Sequence, residues 1–148
     1  MSTYTQILYQ IIFSTKNRKP SLIKENRKEL YKYIWGILKN KNCHLIRLGG
    51  VEDHLHILTH LHPSLSLSRL VKDIKVGSNS FIKQNQLFPD FTGWQEGYAA
   101  FTYANKEKGK LIHYVKNQEK HHKKTTFKEE LTSLLQEHEV DFDEQYLL

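Results

Sequence analysis

Two pairs of side chains have the types and spacing to do chemistry: His54 with His56, separated by Leu55, and Tyr114 with Gln118. On a β-strand alternate residues point the same way, so His54 and His56 would share a face, about 6.6 Å apart in backbone position at the usual rise per residue. Two imidazoles so placed can grip one metal ion, while Leu55, Ile57 and Leu61 face the other side and pack in a core. On a helix, Tyr114 and Gln118 stand one above the other at i and i+4, and His121 and His122 follow at i+7 and i+8. A phenol, an amide oxygen and two imidazoles then run along one side, with Leu111, Ile112 and Val115 as an apolar anchor. A lone His-x-His more often marks surface or hydrogen-bonded core histidines, and it is the tyrosine helix that strengthens the metal reading. His60 shares the strand face of the pair and is a substitute ligand in reserve. His121 and His122 are auxiliary candidates for metal binding, proton transfer or phosphate contact at a helix C-terminus.

A tyrosine hydroxyl, with a pKa of about 10 in water, attacks poorly at neutral pH unless its phenolate is stabilised or its proton is taken. A divalent ion with open coordination positions would hold a phosphate and neutralise developing charge. An ion held by imidazole would be Mn²⁺, which tolerates nitrogen ligands, or, with oxygen donors added, Mg²⁺.

The elements that must position these groups are legible from periodicity. Residues 4–15 carry Ile7, Tyr9, Ile11 and Phe13 at period two and predict a strand. Residues 16–20 make a basic turn, and Ser21 is placed to cap a helix that carries Ile23, Leu30, Ile34, Ile37 and Leu38 and ends near Lys41. Residues 43–48 and 54–61 are strand-like, joined through Gly49-Gly50-Val51-Glu52-Asp53 in a connection suited to a hairpin. Pro63 and three serines, Ser64, Ser66 and Ser68, open a second helix with Leu67, Leu70, Val71, Ile74, Phe81 and Ile82 on its apolar stripe. Residues 94–104 supply a fourth strand; Asn105 caps a third helix running to about residue 121, and residues 127–137 form a fourth. Strand, helix, strand, strand, helix, strand predicts an α+β chain, a ferredoxin-like, RRM-like antiparallel sheet (βαββαβ) with two helices on one face and C-terminal helices that carry the tyrosine.

The 148 residues suit one domain, 1–148, ending in an acidic tail at about 137–148. The net charge of +6 understates the asymmetry: residues 1–128 hold 22 basic and 9 acidic groups, a net +13, while everything from Glu129 onward is acidic or neutral apart from histidine. So basic a body favours a polyanionic partner. Arg69, Lys72, Lys75 and Lys83 line the polar side of the second helix and are the candidate DNA-backbone contacts, although any soluble helix shows a charged outer face. Trp94, Tyr98, Phe101 and Tyr103 could stack on unpaired bases, but aromatics in a strand are more often core. Cys43 is the single cysteine, which excludes an internal disulfide framework and fits a reducing compartment. No run approaches the roughly 20 apolar residues that span a bilayer, and residues 1–19 lack signal-peptide features, so a cytoplasmic protein with no membrane partner is expected.

His54-Leu55-His56 resembles the histidine-hydrophobe-histidine motif of the HUH endonucleases, and Tyr114-Val115-Lys116-Asn117-Gln118 resembles the nucleophile helix of their single-tyrosine transposases. The likeness covers nearly the whole chain, taking in Trp94-Gln95-Glu96-Gly97-Tyr98 ahead of the tyrosine and His121-His122 after Gln118. It implies that His54, His56 and Gln118 are metal ligands and that Tyr114 is the nucleophile of a small insertion-sequence transposase acting on single-stranded DNA. By the same resemblance, cleavage passes through a covalent 5′-phosphotyrosine with a free 3′-hydroxyl, the DNA carries hairpin ends, and the protein is a homodimer whose tyrosine helix can complete the partner's histidine site. Gly109 could let that helix swing, though a lone glycine there is about as often a local packing choice. Two other functions fit parts of the pattern: a non-catalytic module that binds single-stranded nucleic acid, and a metal-dependent phosphodiesterase that uses water.

Overall fold

A computed structural model describes residues 2–147. Met1 and Leu148, the outermost positions of the expected domain and the last of its acidic tail, lie outside the described residues. Four strands, β1 (Leu8–Ser14), β2 (Leu45–Gly50), β3 (His54–His60) and β4 (Ala99–Tyr103), form one antiparallel sheet in the order β2-β3-β1-β4. Helices α1 (Arg27–Asn40) and α2 (Leu67–Gln84) are the two crossovers; α3 (Lys108–Lys116), α4 (Gln118–His121) and α5 (Phe127–Glu137) follow the last strand. This is the ferredoxin-like arrangement expected from the element order.

Period-two alternation puts a different core on each face of the sheet. Ile11, Phe13, Leu55 and Ile57 pack with Leu30, Ile34 and Leu38 of α1 and Leu70, Val71 and Ile74 of α2 in the larger core. On the opposite face Ile12 and Phe101 meet Phe127, Leu131 and Leu135 of α5, while Leu8 and Leu58 meet Leu111 and Val115 of α3. The C-terminal helices therefore cover the face that carries His54 and His56.

Several boundaries differ from the sequence expectation, each for a local reason. β1 begins at Leu8, and Tyr4, ahead of it, is 89% exposed. Ser21 caps no helix: it is buried with its hydroxyl unpartnered, and α1 starts only at Arg27, after a short 3-10 turn at Lys24–Asn26. Gly49 and Gly50 belong to β2 rather than to the hairpin connection, which shrinks to residues 51–53. The lack of a side chain at Gly49 is used elsewhere, because a Cβ there would run into the Val115 carbonyl of α3. Trp94 lies outside β4; it makes an isolated bridge to Thr15 and sets its ring edge-on to Phe13, 4.9 Å between centroids. The expected third helix is broken at Asn117, whose ψ of 24° leaves the helical range and separates α3 from α4. Ser66 does cap α2, accepting from the Arg69 N–H, and α5 occupies the expected residues with a Thr126–Glu129 capping box.

Candidate active site

Strand β3 delivers His54 and His56, both fully buried, to the face under α3, α4 and α5. Each ring is oriented by its Nδ1. His54 Nδ1 lies 2.7 Å from Asp53 Oδ1, and His56 Nδ1 lies 2.7 Å from Gln10 Oε1, with the Gln10 amide nitrogen donating to Tyr103 Oη at 2.8 Å. A carboxylate accepts only, and the Gln10 oxygen accepts likewise, so both Nδ1 atoms carry protons. Both Nε2 atoms are thereby turned towards the space beneath the C-terminal helices.

That space is filled by a group the sequence reading missed, the carboxylate of Glu130 at the middle of α5, only 3% exposed. Glu130 Oε1 lies 2.9 Å from His122 Nε2, 3.1 Å from His56 Nε2 and 3.3 Å from His54 Nε2. Glu130 Oε2 accepts from the Tyr114 hydroxyl and, at 3.2 Å, from Gln118 Nε2, with His121 Nε2 at 3.3 Å. A signal for Glu130 exists in the sequence. Phe127, Leu131, Leu134 and Leu135 form the buried stripe of α5, and Glu130 falls inside it. A carboxylate on an apolar stripe is a buried charge and must have partners.

Tyr114, Gln118, His121 and His122 do converge with His54 and His56, although the helix that should carry them is interrupted. The Tyr114 ring stands edge-on to His56 at 5.7 Å, and Phe127 stacks on His54 at 4.2 Å. A cavity of about 470 Å³ opens beside Tyr114 between α3 and α5, reaching Gln10, Tyr103 and Lys110. His60 does not join them: it sits half-buried at the far end of β3 beside His44, 6.2 Å between rings.

The donor set fits a divalent cation. Ligand atoms of His54, His56, His122 and Glu130 all lie within 4.8 Å of one another. With Nδ1 protonated, a neutral His54 or His56 aims an Nε2 lone pair at the Glu130 carboxylate, which is repulsive unless a proton or a cation lies between them. His54 Nε2 is close enough to Glu130 Oε1 for ionic attraction but not aligned as a hydrogen bond, and Gln118 Oε1 is likewise buried without a partner.

Burial and the Glu130 carboxylate pull the two histidines in opposite directions. Burial pushes His56 below the ordinary histidine value even with Glu130 beside it. For His54 burial pushes the same way, but the hydrogen bond to Asp53 and the nearby Glu130 carboxylate outweigh it and raise the pKa. Burial alone would raise Glu130, yet contacts with His122, His54 and His56 hold it well below the usual carboxylate range. Tyr114 is pushed up, first by burial and then by the Glu130 charge, so its phenol stays protonated until positive charge offsets that carboxylate.

The candidate DNA contacts lie elsewhere. Lys72, Lys75 and Lys83 line a groove of about 720 Å³ on the outer side of α2, together with Lys16, Asn79 and Tyr98. Lys75 is partly committed, donating to the carbonyls of Gln95 and Gly97, and burial lowers its pKa. Arg69 lies outside the groove lining and pairs with Asp73 at 3.1 Å. Of the aromatics, Phe101 is buried and Trp94 half-buried with its indole N–H on Ser78 Oγ, whereas Tyr98 is 37% exposed.

A ferredoxin-like sheet with a buried histidine pair, faced by a tyrosine on a helix after the last strand, fits the class of DNA transposases. Residues 3–118 match the family model described as "Transposase IS200 like", and the chain belongs to this family of single-tyrosine HUH transposases. The chain is 25% identical over 116 residues to the transposase for insertion sequence element IS200 of Salmonella typhimurium, covering 74% of this chain and 75% of that one. The same figures hold for the IS200 transposase of Salmonella typhi. Among solved structures, the fold is similar to a protein of Deinococcus radiodurans R1 described as a transposase (TM-score 0.62, 22% identity, 80% of this chain and 95% of that one). It is also similar to a REP-associated tyrosine transposase solved with a REP hairpin (TM-score 0.56, 16% identity, 78% and 70%). His121, His122 and Glu130 lie beyond the stretch that the family model matches.

Proposed function

We propose that this transposase cuts and rejoins single-stranded DNA with Tyr114 as its nucleophile. The observation that carries this reading is the Tyr114 hydroxyl turned into the same buried centre as the Nε2 atoms of His54 and His56. Tyr114 Oη attacks the phosphorus of a phosphodiester, the P–O bond to the 3′ oxygen breaks, and that oxygen leaves with a proton as a free 3′-hydroxyl. The protein is left joined to the 5′ phosphate. Because the new phosphotyrosine is itself a phosphodiester, a second 3′-hydroxyl can reverse the step on another strand without ATP.

His54 and His56 would hold a divalent ion, Mn²⁺ or Mg²⁺, with Gln118 beside them through its buried Oε1. Such an ion supplies positive charge that stabilises the phosphate in its transition state and offsets the Glu130 charge that keeps Tyr114 protonated. The chain's own groups do the rest. Asp53 and Gln10 fix the two imidazoles, the burial under α5 excludes water, and α3 positions the phenol by docking Val115 against Gly49. Lys16, Lys72 and Lys83 would track a DNA backbone on the far side of the molecule, with Lys75 shaping the groove and Arg69 at its margin. The substrate is read as DNA with hairpin ends, supported by the hairpin that the REP-associated relative binds. One domain over residues 1–148, working as a homodimer in the cytoplasm, completes the proposal. A site shared between subunits would require α3 to leave its seat on Gly49.

Incubation with Mn²⁺ or Mg²⁺ and labelled single-stranded DNA carrying the element ends tests this. A denaturation-resistant protein–DNA adduct that Tyr114→Phe abolishes supports the reading. Cleavage that persists in Tyr114→Phe makes water the nucleophile, and tight binding to authentic ends with neither cleavage nor adduct makes the protein a binding module.

A further inference from the structure

We infer that His122 and Glu130 are metal ligands, completing with His54 and His56 a three-imidazole, one-carboxylate centre for a divalent transition ion. The inference rests on the reading that His54 and His56 hold a metal. Three Nε2 atoms reach the same carboxylate oxygen from different directions, at 2.9, 3.1 and 3.3 Å. Oxygen–nitrogen separations of about 3 Å are what neighbouring ligands show when each lies about 2.0–2.2 Å from one ion, and the four ligand atoms together lie within 4.8 Å of one another. A carboxylate oxygen facing three imidazole nitrogens in a buried site needs positive charge among them, as a proton or a cation, and a divalent ion would satisfy all four groups at once. The helix that brings Glu130 is also seated for the purpose, since Phe127, one turn before it, stacks on His54.

The chemistry of the four donors narrows the ion. Mg²⁺ prefers oxygen ligands and keeps its waters, whereas Mn²⁺, Co²⁺ and Zn²⁺ accept imidazole readily. A centre with three imidazoles therefore selects transition ions over Mg²⁺. Glu130 also ties the ion to the nucleophile: Oε1 faces the imidazoles, while Oε2 accepts from Tyr114 and Gln118. His121, 3.3 Å from Oε2, lies on the tyrosine side of the carboxylate and is not one of the four ligands.

Direct metal binding by the full chain tests this without any DNA. Mn²⁺ affinity is measured by titration with paramagnetic-resonance detection, and the imidazole count on bound Zn²⁺ or Co²⁺ by X-ray absorption. Wild type should show three imidazoles, and His122→Asn two. Glu130→Gln should weaken Mn²⁺ at least about tenfold, with Glu130→Asp recovering part of the loss. His113→Asn, an exposed histidine, should change neither quantity. Each variant is first checked for a native circular-dichroism spectrum and cooperative melting. Two imidazoles in wild type, or wild-type Mn²⁺ affinity in Glu130→Gln, overturns the proposal while leaving the His54–His56 site intact. Unchanged metal binding in His54→Ala with His56→Ala instead removes the reading on which it rests.

Discussion

The two faces of the sheet are built from the same strands and do opposite work. On the face towards α1 and α2, Ile11, Phe13, Leu55 and Ile57 make a dry, fully buried core. On the other face, Gln10, His54 and His56 are buried just as deeply, yet all are polar and partnered by Asp53, Tyr103, Glu130 or one another. Leu55 stands between His54 and His56 in sequence, so a single strand serves both faces by alternation. The larger apolar core lies on one side, while on the other, beside two smaller apolar clusters, burial also perturbs charge.

Substitutions can break or sharpen that contrast. The largest effect is expected from Tyr114→Phe, which should lower adduct formation on single-stranded DNA by on the order of a thousandfold or more while melting at nearly the wild-type temperature. Leu55→Ala should do the reverse, costing about 2–5 kcal/mol in denaturant unfolding through the cavity it leaves. His56→Ala, one residue away, should abolish metal binding with a smaller loss of stability than Leu55→Ala; an equal or larger loss would dissolve the division of labour. Gly49→Ala should affect both sides, because its methyl displaces α3 at Val115; a cost of about 1–3 kcal/mol is expected together with slower adduct formation. The smallest effect is assigned to Lys72→Ala, where single-stranded DNA affinity should fall a few-fold and the slope of log affinity against log salt should shrink by about 0.7.

Much of this division was legible in the sequence, because it rests on alternation and on helical spacing. The pairing of His54 with His56 and the opposite orientation of Leu55 and Ile57 follow from alternation, and helical spacing puts Tyr114 and Gln118 on one side, while the resemblance to a known family joins that side to the histidines. What escaped depends on contacts that spacing does not encode. Gly49 and Gly50 read as turn residues because glycine is common in turns, whereas here Gly49 admits the close approach of a helix more than sixty residues later in the chain and Gly50 that of the His54 carbonyl across the hairpin. The break at Asn117 is a dihedral change within a stretch whose pattern stays helical, so periodicity passed over it. Glu130 was hidden for a different reason: the acidic end of the chain was weighed as net charge, and a carboxylate inside an apolar stripe was not set apart from it.

Helix α5 is joined to α4 by residues 122–126, and that link is short. A tether of this length holds the Glu130 carboxylate near the imidazoles at an effective concentration on the order of millimolar or above. The fourth donor is thus delivered as part of a chelate rather than recruited from solution, and a single backbone cut in the link would turn a built-in group into a dilute, dissociable one.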